Sequence, residues 1–95
     1  MNYEWDNEKA ILNLRKHRVD FLDAIATLED QNRLEQIDPE FEDGEERLQI
    51  IGMAHDSILF VAATMRNEDL CRIVSARKAD RNEQNRYYAG DAETR

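Results

Sequence analysis

Basic residues recur between positions 66 and 86, where six of them stand against four acidic residues. An arginine guanidinium presents a planar fork of N–H donors that can hold a phosphate through two parallel hydrogen bonds. The chain has only three glycines, so its composition favours phosphate recognition by side chains over a glycine-rich loop. Arg66 and Arg77 are the leading candidates, because each is predicted at the end of an apolar strand.

One chemistry that phosphate-binding arginines can serve is the cleavage of RNA without a metal, although by charge alone the segment can equally be a solvated face without a partner. A base removes the proton of a ribose 2′-hydroxyl, an acid protonates the leaving oxygen, and cations stabilise the charge on the phosphorane. We predict that Arg77 lies beside Arg66 and that the last helix frames the site. Four residues of that helix are candidates for this role: Glu83, Arg86, Tyr87 and Tyr88.

Each candidate also has a structural interpretation. Arg72 and Arg77 differ by five positions. Because side chains alternate along a strand, an odd difference puts them on opposite faces unless the strand ends or bulges between them. Arg72 can instead pair with Glu68 or Asp69, and Glu83 can serve only as the partner of Asp80 in a capping box. The tyrosines can pack in the core or stack on a base. His17 titrates in a useful pH range, but a histidine at a helix end more often caps or packs.

Charge is distributed unevenly in this chain of net charge −8. Residues 20–46 contain eleven acidic residues and one basic residue, Arg33, so a cationic surface elsewhere is compatible with the acidic total. The single Cys71, with no cluster of metal-type ligands, argues against a disulfide or a zinc site. No signal-peptide pattern or membrane-length apolar run is present. We therefore expect a cytoplasmic protein without a metal or other cofactor.

The hydrophobic pattern predicts an α+β fold in a single domain over residues 1–90, followed by a disordered tail at 91–95. Ala10, Ile11 and Leu14 form an apolar stripe on a first helix that starts after Asp6, and a second short helix starts after Asp20. The two helices are predicted to form a hairpin. An antiparallel sheet with helices on one face follows from the hairpin-length connections. The later predicted elements are an edge strand at 33–38, an acidic loop at 39–46 with its turn at Gly44, strands at 47–53, 58–65 and 70–76, and a helix at 80–89.

Six segments, in register from residue 3 to about residue 88, resemble the BrnT toxin family. The opening W-D-x-x-K-x-x-x-N-x-x-K-H is present from Trp5 to His17, where Lys9, Asn13 and Lys16 take the polar positions. The other segments are F-x-x-A from Phe21, G-E-x-R from Gly44, I-G at Ile51-Gly52, L-x-V-x-x-T-x-R from Leu59, and a segment close to R-I-I-S-A-R-x-A from Arg72. The family usually has glycine where this chain has Arg18, so Arg18 must either accept a strained φ or reshape the turn.

The resemblance implies a RelE-like toxin that cuts RNA without a metal and inhibits translation. Its partner would be a BrnA-type ribbon-helix-helix antitoxin. The complex, a possible heterotetramer, would repress its own operon and contact DNA through the antitoxin. An inactive relative that only binds the antitoxin and tunes repression is the alternative. The resemblance favours Arg66 and Arg77 over the other candidates as catalytic residues. It also implies that Lys16, His17 or Glu83 transfers a proton. The predicted RNA-binding residues are Lys9, Asn13, Arg72, Lys78, Arg86, Tyr87 and Tyr88.

Overall fold

The computed structural model describes residues 1–40 and 46–90. Five strands form one sheet in the order β1-β5-β4-β3-β2, and three helices accompany it, which confirms the α+β class. The acidic turn at Gly44 and the tail at 91–95 lie outside the described residues. The elements are β1 (Asn2–Glu4), α1 (Asn7–His17), α2 (Phe21–Leu28), β2 (Leu34–Ile37), β3 (Leu48–Ala54), β4 (Ser57–Asn67), β5 (Leu70–Lys78) and α3 (Arg81–Ala89).

The sheet is mixed, so the prediction of an antiparallel sheet needs correction. Strands β2 to β5 form the predicted antiparallel meander, and β4 lies at its centre. Strand β1, however, pairs in parallel with β5, with Glu4 opposite Arg72. The meander follows from its short connections, whereas β1 is separated from the other strands by α1 and α2, and such a crossover permits parallel pairing.

One face of the sheet, called here the helix-pair face, packs against α1 and α2. Helix α1 lies against β5, and α2 lies mainly against β3 with further contacts to β4 and β5. Each helix thus packs on the sheet, and the predicted helical hairpin is not confirmed. The buried core on this side consists of Val19, Phe21, Ala24, Ile50, Ala54, Leu59, Val61, Ala63, Cys71, Ile73 and Ala76.

Helix α3 packs on the opposite face, called here the α3 face, so the helices do not all cover one face as predicted. Ile51, Ile58 and Ala79 are buried there. Tyr87 packs from α3 against this cluster, and Leu34, Met53 and Phe60 also contact it. Because β4 contributes to both cores, its apolar run is unbroken, as expected for a strand covered on both sides.

The helix starts follow from their capping residues. The Asp6 side chain accepts hydrogen bonds from the backbone N–H groups of Glu8 and Lys9, and Asp20 accepts from Leu22 N. Asp80 and Glu83 form the predicted capping box at the start of α3. Among the described residues, no helix has the length and apolar character needed to cross a bilayer.

Helix α1 docks through a polar residue rather than through the predicted apolar stripe. Asn13 is its one buried residue, while Ile11 and Leu14 are exposed. Ala10, three residues before Asn13, packs against the helix-pair core. The helix ends at Arg18, which adopts the expected left-handed conformation with φ 60°. This geometry lets the chain turn at once into α2.

Candidate active site

Two bulges decide which arginines share a face of the sheet. Between the pairs Ala62–Ser75 and Ala63–Ile73 the register shifts, so β5 carries one extra residue at Val74. A bulge of one residue reverses the alternation of side chains beyond it. Arg72, opposite Thr64, and Arg77, opposite Phe60, therefore both lie on the α3 face. This is the condition under which the two arginines can line one surface.

Arg66 and Arg77 do not lie side by side. Strands β4 and β5 are antiparallel, so the end of β4 meets the start of β5, and Arg66 falls in the second bulge, between the pairs Met65–Cys71 and Asn67–Leu70. Arg77 pairs instead with Phe60, and six residues of β4 span about 20 Å. The prediction that Arg66 and Arg77 share a strand end is wrong. In an antiparallel pair the last residues of one strand lie beside the first residues of the other, so the last residues of β4 and β5 are at opposite ends of the strand pair.

The first cluster, called here the Glu4 cluster, consists of Glu4, Arg66 and Arg72. Arg72 Nη1 donates to Glu4 Oε2 at 2.7 Å, and Arg66 Nε is 3.9 Å from the same oxygen. The partner of Arg72 is therefore a residue on β1 rather than Glu68 or Asp69. Thr64, opposite Arg72, is buried, and its Oγ1 has no hydrogen-bond partner among the described residues. Sequence reasoning missed Glu4, because only the parallel pairing of β1 brings it here.

The second cluster, called here the Arg77–Glu83 pair, joins the end of β5 to α3. Arg77 Nη1 and Nη2 donate to Glu83 Oε1 and Oε2 at 2.8 and 2.9 Å. The guanidinium also lies 4.2 Å from the centre of the Phe60 ring. Hydrogen bonding to Glu83 outweighs burial and raises the pKa of Arg77, with additional attraction from Glu83 and Asp80. The pair is a rigid cation and carboxylate held at a fixed position on the α3 face.

Glu83 has the capping role predicted for it, and it also binds Arg77. Its Oε1 accepts from the backbone N–H of Asp80 at 2.9 Å, which completes the capping box, while the same carboxylate holds Arg77. Only 12% of the Glu83 side chain is exposed, compared with 37% for Arg77. The carboxylate is therefore preorganised by its neighbours, and the guanidinium is the more accessible partner.

A polar row lies on the sheet between the two clusters. Gln36, Gln49, Ala62 and Ser75 are successive register partners across β2, β3, β4 and β5. Gln36 donates to Gln49 at 2.6 Å and accepts from Arg86 Nη2 at 2.9 Å. Arg86 thus reaches from α3 to this row, which crosses the sheet at a level between the Glu4 cluster and the Arg77–Glu83 pair.

The structure corrects the role predicted for Asn13 on α1. Its amide nitrogen donates to the carbonyls of Ala76 and Val19, and its oxygen accepts from Ala76 N. A buried side chain with both ends bonded to backbone is structural and has no group left for RNA.

Helical spacing separates the remaining residues predicted on α1. It places Lys9 and Lys16 on the flank of α1 opposite Ala10, and His17 on the flank of Ala10. Within the described residues, no hydrogen bond or ion pair joins Lys16 or His17 to the Arg77–Glu83 pair. Of these two candidates, Lys16 is the one whose flank is turned away from the helix-pair core.

The two tyrosines of α3 have different surroundings. Tyr87 donates to Asp30 Oδ2 at 2.6 Å, and burial together with this hydrogen bond raises its pKa to about 12. Its ring packs against the core of the α3 face, which gives Tyr87 a structural role, and its contact with RNA stays a prediction. Tyr88 is 72% exposed and meets Tyr87 edge-to-face. Lys78, at the end of β5, lines two concavities, one with Arg18 and Val19 and the other with Gln84 and Tyr88.

Asp30 connects α3 to the rest of the α3 face. Besides the hydroxyl of Tyr87, it accepts hydrogen bonds from the backbone N–H groups of Met53 and Asn32. Burial alone would raise the pKa of Asp30, but these hydrogen bonds and the charge of Arg33 lower it. Among the described residues, no three histidine, cysteine, aspartate or glutamate side chains are grouped so that they could hold a metal ion.

Comparison with known proteins agrees with the motifs and the geometry. A sequence model of the family described as "Ribonuclease toxin, BrnT, of type II toxin-antitoxin system" matches residues 5–83. The fold is similar to the crystal structure of the Brucella abortus ribonuclease toxin BrnT, with 25% sequence identity, a TM-score of 0.63, and coverage of 85% of this chain and 99% of that chain. No curated protein is significantly similar in sequence. The chain belongs to the BrnT family of ribonuclease toxins of type II toxin–antitoxin systems.

Proposed function

We propose that this chain is a metal-independent, RelE-like endoribonuclease that binds RNA on the α3 face and inhibits translation in the cytoplasm by cutting mRNA. The observation that carries the proposal is the Arg77–Glu83 pair, with a carboxylate and a guanidinium joined at 2.8 and 2.9 Å on a face that also holds Arg66, Arg72 and Arg86. A fixed cation beside a fixed carboxylate supplies phosphate binding and a proton acceptor without a bound ion.

In the proposed reaction, Glu83 accepts the proton of the ribose 2′-hydroxyl. The 2′-oxygen attacks the phosphorus, the bond to the 5′-oxygen breaks, and the products are a 2′,3′-cyclic phosphate and a 5′-hydroxyl. The leaving oxygen needs a proton, for which Lys16 is the candidate because its flank of α1 faces away from the helix-pair core. Arg77 retains N–H groups beyond those bonded to Glu83, and these stabilise the charge of the phosphorane.

The Glu4 cluster serves a different phosphate in this proposal. Arg72 lies four residues of β4 away from the level of Arg77, or about 13 Å along the strand. Each guanidinium is also held by its own carboxylate, Arg72 by Glu4 and Arg77 by Glu83, so we assign Arg66 and Arg72 to a neighbouring part of the RNA backbone. The glutamines between the clusters and the exposed Tyr88 offer hydrogen bonds and a stacking surface to the bases.

The test is cleavage of an end-labelled, unstructured RNA in the presence of EDTA, with and without ribosomes. The variants Arg77→Ala and Glu83→Gln should each lower the cleavage rate about 100-fold or more, the range for loss of a catalytic group. Glu83→Gln retains an acceptor for Asp80 N, so the capping box remains. Arg81→Ala is the matched control, because Arg81 is an exposed arginine on the same helix.

Two outcomes would contradict this proposal. If the wild-type chain leaves RNA intact both with and without ribosomes, the enzyme function fails and the alternative of an antitoxin-binding module gains support. If EDTA stops cleavage and Mg²⁺ restores it, the metal-independent reaction fails while the RNA-binding face stands.

The family also implies a protein antitoxin. We propose that the antitoxin is of the BrnA ribbon-helix-helix type and that the pair assembles as a heterotetramer which binds operator DNA through the antitoxin. Co-purification with the product of the neighbouring gene, followed by mass measurement and operator binding, tests this part separately.

A further inference from the structure

We propose that four residues on the outer side of α1, called here the α1 strip, dock an acidic amphipathic helix of the antitoxin. The strip consists of Ile11, Leu14, Arg15 and Arg18. This inference rests on the proposed function, in that the chain has a protein antitoxin, and it adds where and by what chemistry that partner binds.

The first argument is that apolar side chains of α1 are exposed, whereas the side chain that attaches α1 to the sheet is polar. Ile11 is 52% exposed and Leu14 is 46% exposed, while Asn13 is 7% exposed. An amphipathic helix normally turns its isoleucines and leucines toward the core. Here the three hydrogen bonds of Asn13 hold the helix in the reverse orientation, so its apolar residues are left for another surface.

The second argument is continuity. Positions 11, 14 and 15 follow the spacing i, i+3 and i+4, which places their side chains on one side of the helix, and Arg18 caps the end of α1. Leu14, Arg15 and Arg18 line one shallow concavity. Apolar anchors at this spacing are the pattern by which one helix receives another.

The third argument is charge. Residues 9–19 contain four basic residues and no acidic one, in a chain of net charge −8. Arg15 and Arg18 therefore flank Ile11 and Leu14 with positive charge, which complements an acidic and apolar partner helix. A second copy of this chain would bring its own cationic strip against the first. RNA would find no aromatic ring among the four side chains on which to stack a base.

The position of the strip has a functional consequence. The Arg77–Glu83 pair lies on the α3 face, whereas helical spacing puts Ile11 and Leu14 on the side of α1 away from Lys9 and Lys16. An antitoxin helix on the strip therefore leaves the proposed RNA site uncovered. In this inference the strip anchors the antitoxin and does not itself block RNA.

The experiment measures binding of the full chain to the antitoxin protein encoded by the neighbouring gene, by titration in low and high salt. The variants are Leu14→Ser and Arg15→Glu. We expect each to raise the dissociation constant about tenfold or more, with the effect of Arg15→Glu smaller in high salt because screening weakens exposed charge pairs. RNA cleavage by each free variant should equal that of the wild type.

The controls are Ile37→Ser and Arg81→Glu. Ile37 is 53% exposed on β2, at the far edge of the sheet from α1, and Arg81 is exposed on α3. Both controls should bind the antitoxin as the wild type does. Wild-type affinity in the two strip variants would overturn the proposal, and so would a matching loss of affinity in both controls.

The remaining outcomes separate this inference from the proposed function. Loss of RNA cleavage in the strip variants would assign the strip to RNA and overturn antitoxin docking. A wild-type chain that cuts RNA but does not bind the antitoxin would overturn the docking inference and leave the enzyme proposal standing. A wild-type chain that binds through the strip but cuts no RNA would support docking and overturn the enzyme proposal. A dimer of this chain that the strip variants dissociate would assign the strip to a second copy.

Discussion

Asn13 on α1 bonds to both backbone polar groups of Ala76 on β5, donating to the carbonyl at 2.8 Å and accepting from the N–H at 3.1 Å. Strand β1 pairs with β5 only from Leu70 to Arg72, so the edge of β5 is open at Ala76. The amide of Asn13 takes the place that a neighbouring strand would occupy. One polar side chain thus closes the sheet edge and fixes the orientation of α1.

Replacing Asn13 with Ala should strongly destabilise the fold. Ala76 would keep a buried N–H and a buried carbonyl without partners, at a cost of about 2–4 kcal/mol. For a domain of this size, that lowers the melting temperature by roughly 10–25 °C. Thermal unfolding followed by circular dichroism measures the shift. Asn85→Ala, at an exposed position of α3, is the control, and an equally small change in both variants would contradict the role of Asn13.

The sequence patterns predict most elements of the fold because local rules govern them. Capping aspartates mark the helix starts, and the apolar run at Ile58 to Met65 predicts the central strand, which the structure confirms. The parallel pairing of β1 was not predictable, since three residues separated from β5 by most of the chain carry no local signal. The orientation of α1 was also not predicted. The apolar residues of α1 suggest an apolar buried face, and the hydrogen bonds of Asn13 to the edge of β5 depend on the folded structure rather than on local sequence.

The arrangement of the candidate residues was not predicted from the sequence, and their roles stay predictions. The bulge at Val74 brings Arg72 and Arg77 to one face of the sheet, and no residue type in that segment predicts a bulge. The separation of Arg66 from Arg77 follows directly from antiparallel pairing. The Asp80–Glu83 spacing predicts the capping box correctly, yet the same carboxylate also holds Arg77, which requires the end of β5 to meet α3.

Replacing Gly52 with Ala should destabilise the packing of α2 on β3. A Cβ at this position would lie 2.8 Å from the Thr27 carbonyl oxygen and 3.0 Å from Thr27 Cγ2. Backbone atoms cannot rotate away, so the helix must shift, at a cost of about 1–3 kcal/mol. Thermal unfolding should show the loss, and the additional change Thr27→Ser should not reverse it because the carbonyl remains. An unchanged melting temperature would mean that α2 is loosely packed.

Replacing Arg18 with Gly should stabilise the fold. Arg18 adopts φ 60° and ψ 28°, a left-handed conformation that costs a residue with a Cβ about 1 kcal/mol. The melting temperature should rise by roughly 4–8 °C. Because Arg18 also belongs to the α1 strip, the same variant should bind the antitoxin more weakly. A lower melting temperature would show that the Arg18 side chain contributes more than its backbone conformation costs.

The stability of the fold should fall in alkaline solution between about pH 10 and pH 12. Burial and hydrogen bonds to Glu29 and Asp30 raise the pKa values of Tyr3 and Tyr87 to about 12, compared with about 10 in an unfolded chain. A raised pKa stabilises the fold below the unfolded value, and this contribution disappears as the pH rises through the folded value. Denaturant titrations with tyrosinate absorbance should show this decline. Tyr87→Phe should flatten it, and an identical pH profile in that variant would contradict the assignment.

Replacing Glu4 with Gln should strengthen RNA binding on the α3 face. Glu4 Oε2 lies 2.7 Å from Arg72 Nη1 and 3.9 Å from Arg66 Nε, so it offsets part of the charge of both arginines. Removing its charge raises the local positive charge by one while leaving an acceptor for Arg72. The affinity for single-stranded RNA should then rise at low salt, and the slope of log K against log salt should steepen by about 0.7.

Two further variants show whether this effect arises at the Glu4 cluster. Arg72→Gln removes a cation from the cluster, so it should lower both the affinity and the slope. Glu68→Gln removes a negative charge from the exposed turn before β5, and if RNA avoids that turn it should leave both values unchanged. Binding is best measured by fluorescence anisotropy, with cleavage suppressed by a 2′-deoxy linkage at the scissile position. If Glu4→Gln weakens binding instead, Glu4 contributes to RNA binding mainly by orienting Arg72, and this contribution exceeds the effect of the positive charge that Glu4 neutralises.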